Sequence, residues 1–198
     1  DIMQDADSES NFAFTESLMA LYYATSDKQW LDMARNVANI AATWTLSYDY
    51  QFPVNSTISK LGGHVAGAVW ASTQNKHAAP GVCTMSADHL FKIYRATGDR
   101  RYADLLRWQG DDGSGYDTAN QIYLYEAKNT VTTDADGKGA VGVILHTSNG
   151  WTEGNGMLMG IEIPGIYLRT DKDEMYVFDH VEAKVVKRDK SGITLEIT

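Results

Sequence analysis

Apolar residues recur at helical spacing in two stretches of the chain. In the first stretch Phe14, Leu18, Leu21 and Tyr22 make one run, and Trp30, Met33, Ala34, Val37, Ile40, Ala41 and Trp44 make another. A period near 3.6 fits amphipathic helices rather than strands. Ser26-Asp27 separates these runs, and Gly98-Asp99 holds the corresponding place in the second stretch. Gly or Ser tolerates the backbone of a helix C-terminus, while Asp caps the free N–H groups of the next helix. The pattern predicts helices over about 11–25, 28–46, 82–97, 99–108 and 152–163.

The two stretches are copies of one unit. Residues 21–35 read LYYATSDKQWLDMAR and residues 93–107 read IYRATGDRRYADLLR, and at an offset of 72 six of the fifteen positions are identical. A fixed offset with matched turns marks a repeated supersecondary unit, here a helical hairpin. Antiparallel helices put both short turns at one end, so the long connections, 47–81 and 109–151, emerge at the other. Long connections in compact domains are more often functional than short ones. The first, third and fifth helices also start at that end and direct their positive dipole ends into it.

From Gln109 onward the character changes. QIYLYEAK and VGVILHT read as strands and DADGKG as the turn between them, which predicts a β-hairpin insertion at about 110–150. DADGKG lacks the further spaced oxygen ligands and the terminal Glu of a calcium loop. After Pro164-Gly165 the pattern is β throughout, with IYLRT, MYVFDHVEAKVVKR and ITLEIT broken by TDKDE and DKSG. The reading is a mainly α region over 1–163 followed, over 164–198, by the start of an all-β, sandwich-like domain.

Composition narrows the partners. With 17 Lys+Arg against 26 Asp+Glu the net charge is −9, which disfavours nucleic acid or an anionic membrane as the main partner. One cysteine, Cys83, excludes an internal disulfide. No apolar run reaches the ~18 residues of a membrane span.

GVCTMSADHLFKIYRATGDRRYADLL and WTEGNGMLMGIEIPGIYLRTDKDEMYVFDH resemble the six-hairpin (α/α)6-toroid glycoside hydrolases, nearest to the β-L-arabinofuranosidase-like branch. The resemblance covers about 11–108 and 151–198 and implies toroid hairpins, a following β-sandwich, a carbohydrate substrate, and export as secreted or periplasmic enzymes. In that branch a Glu-Thr-Cys and a Cys-Cys-Asn-Gly-Asn motif hold zinc and supply a cysteine nucleophile. The matching positions here are Gly81, Val82 and Cys83, then Trp151, Thr152, Glu153, Gly154 and Asn155, so only Cys83, Gly154 and Asn155 agree. The zinc–thiolate chemistry therefore does not carry over, and no cofactor or metal is expected. A closed ring needs about twelve helices, and an arc of fewer leaves apolar flanks open. Five helices accordingly suggest a piece of a longer chain or assembly with a second copy.

Candidate chemistry gathers at the long-connection end. Glu16 and Asp88 occupy equivalent repeat positions, Glu153 starts the fifth helix, and Asp49 lies in the first connection. Carboxylates on one rim suit acid and base roles in glycosidic cleavage, although helix dipoles alone also favour acids at helix starts. Glu153 or Asp88 is the expected general acid, with Asp49 or Glu16 as base. His64, His77, Trp70, Trp151 and Tyr48 are the expected sugar contacts, since aromatic faces and hydrogen-bonding side chains suit a carbohydrate. His64, His77, Cys83 and His89 offer metal-binding residue types, but at spacings that match no established ligand pattern. Two further readings stand beside the hydrolase: a non-catalytic glycan-binding or scaffolding toroid, and a polysaccharide lyase with Tyr48 or His64 as base.

Overall fold

A computed structural model describes residues 7–49, 51–55, 59–60, 66–67, 69–70, 72, 77–79, 88–110, 121–123, 144–145, 157–158, 160–178 and 181–198. Four helices form two hairpins: α1 (Ser8–Thr25) with α2 (Lys28–Ala42), and α3 (Asp88–Thr97) with α4 (Arg100–Gly110). Residues 157–158 and 160–162 are also helical. Among the described residues, no helix is long and apolar enough to cross a membrane.

The two turns repeat bond for bond. Ser26 and Gly98 both adopt left-handed backbone, with φ of 58° and 73°, and their N–H groups donate to Tyr22 and Tyr94 carbonyls at 2.8 and 2.7 Å. Thr25 and Thr97 hydroxyls each donate to a carbonyl four residues back and accept from the N–H of Asp27 or Asp99. Those aspartates in turn accept from the backbone N–H of Gln29 at 3.0 Å and of Arg101 at 3.2 Å. The sequence identity at offset 72 is thus one device used twice, a left-handed stop followed by an Asx cap.

Helix α1 starts three residues ahead of the sequence reading, because the side chain of Asp7 accepts from the backbone N–H of Ser10 at 2.6 Å and caps it. Its buried face also differs from the expected stripe. Ser8, Phe12, Thr15, Leu18 and Met19 are buried, whereas Phe14 and Leu21 are exposed. Small polar side chains fit where helices approach closely, and Thr15 returns its hydroxyl to the Asn11 carbonyl. In α2 the seam is Ala34, Ala38 and Ala41, each fully buried, while Met33 and Ile40 face outward. Alanines let the two helices pack closely where larger apolar side chains would hold them apart. The second hairpin buries Leu90, Phe91, Ile93, Tyr94, Tyr102, Ala103 and Leu106, and the Tyr102 hydroxyl joins it to α2 by donating to Asn39 Oδ1 at 3.2 Å.

After α2 the chain tightens through i→i−3 bonds at Thr43, Trp44 and Thr45, and the first long connection folds back on it. The Gly67 and Trp70 N–H groups donate to the Leu46 and Trp44 carbonyls, and Ser72 bridges to Asp7 at the start of α1. Part of this connection is sheet, where the sequence reading has only loop. Strands β1 (Val69–Trp70) and β2 (His77–Ala79) join β3 (Gln121–Tyr123) and β4 (Ile144–Leu145) in one antiparallel sheet of order β1-β2-β3-β4. The β3–β4 pair lies within the predicted insertion, and β2–β3 pairing joins the two long connections. The DADGKG turn lies outside the described residues.

The chain divides into two compact units, Asp1–Ile163 and Pro164–Thr198. The second is antiparallel β. Strand β5 (Ile166–Arg169) pairs with β6 (Glu174–Val177) across a loop that ends at left-handed Asp173, and β7 (Ala183–Asp189) pairs with β8 (Gly192–Ile197). The run read as one strand from Met175 to Arg188 is divided between β6 and β7. An ion pair between Arg188 and Asp173 links the hairpins.

Candidate functional site

Helices α1 and α3 bring a carboxylate from each repeat copy together. Glu16 of α1 and Asp88 of α3, 72 positions apart, both engage the Lys92 ammonium, Asp88 at 2.8 Å. Lys92 lies one helical turn beyond Asp88, the spacing at which side chains meet on a helix surface. The three side chains are 31%, 21% and 28% exposed respectively, so solvent reaches the group. His89 lies beside it, fully buried, its ring 5.3 Å from that of Phe12. Ligand atoms of Glu16, Asp88 and His89 all lie within 4.8 Å of one another.

Burial sets the electrostatics. Desolvation lifts the Glu16 carboxyl above the ordinary carboxylate range, and the nearby Asp88 charge adds to this against the pull of Lys92. Burial opposes the charge of Lys92, but its hydrogen bonds to Asp88 and Glu16 outweigh that and hold it above its usual value. Desolvation pushes His89 down to about 4, leaving a neutral imidazole at physiological pH. Among the described residues neither His89 nitrogen has a hydrogen-bond partner, and Glu16 Oε2 is likewise buried without one.

Of the acids read from sequence, Glu16 and Asp88 meet. Glu16 is not near a helix start: it stands midway along α1, because the Asp7 cap begins that helix at Ser8. Helix-dipole stabilisation therefore does not account for it, since that effect falls off within the first turn. Asp49 stays out of the cluster, and its Oδ1 accepts from the Ala66 N–H at 2.9 Å within the first connection. Tyr48 is exposed beside it. Trp70 is a half-buried strand residue whose indole N–H donates to the Ser72 carbonyl at 2.6 Å. The backbone of His77 lies in β2, opposite Tyr123. Glu153, Trp151, His64, Cys83 and the side chain of His77 lie outside the described residues.

Lys92 was not singled out by the sequence, and His89 only as a residue type. Their signal is departure from the repeat: the matching positions in the first copy are Ala20 and Ser17.

No known protein family, characterised protein or solved structure matches the chain.

Proposed function

We propose that the chain is a carbohydrate-active protein built on hairpins of an (α/α) toroid and followed by the start of a sandwich-like β domain. It hydrolyses glycosidic bonds with Glu16 and Asp88 as its carboxylate pair. The observation that carries the reading is the meeting of these two repeat-equivalent acids, with oxygens within 4.8 Å. Glu16, raised by burial, is the general acid that protonates the leaving oxygen. Asp88, which like Glu16 is ion-paired to Lys92 but lies at the start of its helix, is the nucleophile. This exchanges the roles that the sequence alone suggested for the two. Retaining enzymes hold their carboxyl groups about 5–5.5 Å apart and inverting ones about 6.5–9.5 Å to admit a water, so a pair this close favours retention over inversion. The acidic net charge of −9 agrees with a neutral glycan as substrate.

The test is a glycan panel read by release of reducing ends. Glu16→Gln and Asp88→Asn should each lower turnover more than about a hundredfold, with far-UV circular dichroism unchanged. Activity surviving in both folded variants would exclude the assignment. A second reading, glycan binding without turnover, is favoured by Lys92, which neutralises charge that a hydrolase would use. Calorimetric sugar binding with no product released would establish that reading.

A further inference from the structure

The geometry points to a divalent-metal site of the zinc class, ligated by Glu16, Asp88 and His89, in which the Lys92 ammonium is the competing cation. Three features of the cluster support it. Its three ligand atoms lie within 4.8 Å of one another, while ligands about 2.0–2.2 Å from a tetrahedral zinc ion lie about 3.3–3.6 Å apart. Side-chain torsions close the widest pair by about an ångström as the ion enters. One imidazole with two carboxylates is a donor set that suits zinc or manganese rather than calcium or magnesium, which take oxygen alone.

The second feature is independent of the acids. His89 is 0% exposed, and neither of its nitrogens has a hydrogen-bond partner among the described residues. A buried imidazole normally spends both nitrogens, yet this one presents a nitrogen to two carboxylates. Glu16 Oε2 is buried and unspent as well. The third feature is Lys92, held by both carboxylates: positive charge is stabilised where a metal would sit. Its long stem and partial exposure let the ammonium swing to water as the ion enters.

This inference does not rest on the glycosidic reading. If both hold, the two uses exclude each other, because a carboxylate bound to metal cannot deliver a proton, and zinc would then inhibit hydrolysis.

The test uses the whole chain, stripped with chelator and titrated with zinc chloride by calorimetry. One zinc should bind per chain. His89→Gln and Glu16→Gln should each weaken binding more than about tenfold, and Lys92→Met should tighten it about tenfold by removing the competing ammonium. Zinc binding that survives His89→Gln and Glu16→Gln unchanged would place the ion elsewhere and overturn the proposal. Absence of binding in both wild type and Lys92→Met would overturn it too. Should a variant fail to fold, cobalt(II) on the wild type decides: a visible absorption band that saturates at one ion per chain and is displaced by zinc supports the site, and a spectrum no different from free aqueous cobalt refutes it.

Discussion

Ser17 and Ala20 on α1 stand where His89 and Lys92 stand on α3, 72 positions later. The Ser17 hydroxyl is exposed and turns back to the Ala13 carbonyl, while His89 is sealed against Phe12. Leu21 is 42% exposed and its counterpart Ile93 is 0% exposed. Yet the turns that follow are bonded alike, down to a side chain folding onto the capping aspartate, Gln29 on Asp27 at 2.7 Å and Arg101 on Asp99 at 2.6 Å. The turn is fixed by chemistry within eight or so residues, so each copy builds it unaided. The helix face is fixed by what lies across from it. Helix α3 receives both α1 and α2, and there the second copy has exchanged small residues for a base and an imidazole.

Substitutions that make one copy resemble the other test this division. The largest effect belongs to Lys92→Ala, which installs the residue of the first copy and leaves Glu16 and Asp88 facing each other. A loss of about 2–3 kcal/mol in urea unfolding is expected, below the full cost of breaking a buried pair because the group is partly solvated. The reciprocal Ala20→Lys, on an exposed position, should stay within about 0.5 kcal/mol. Equal effects in the two would show that the faces do not differ. Next come the caps: Asp27→Ala and Asp99→Ala should each cost about 1 kcal/mol and add in the double variant. Strong non-additivity would mean that the turns are not independent. Smaller still, Ser26→Gly should gain about 0.5–1 kcal/mol in the same assay, since a non-glycine residue there holds left-handed backbone, and Gly98→Ser should lose as much.

The last expectation concerns acid. Hydrogen bonds from Arg101 hold Asp99 below its ordinary value of 3.8. A depressed carboxyl stabilises the fold above its unfolded value and loses that contribution as pH falls through the folded one. Thermal melts from pH 5 downward should therefore show Asp99→Asn starting lower than wild type and converging with it below 3.8. Parallel curves would remove the ionised cap from the account.

These same particulars explain what could be read in advance. The repeat, its turns and the kinship of Glu16 with Asp88 were legible because each rests on local pattern at a constant offset. Lys92 and His89 were not, because periodic matching passes over residues that differ between copies, and only the α1–α3 approach gives them partners. The stripe through Phe14 and Leu21 misled because α1 is apolar on more than one side, and its neighbours cover the face of Phe12, Thr15, Leu18 and Met19 instead. Strands β1 and β2 have two and three residues, too few for alternation to register, and they exist through pairing with distant chain.

That pairing has a further consequence. Strands β2 and β3 flank the second hairpin, so Ala78 opposite Ile122 works as a clasp on a loop of roughly forty residues, whose closure costs chain entropy before any contact returns it. Hairpins held by neighbours in sequence form without that cost, which places the clasp late in the order of assembly.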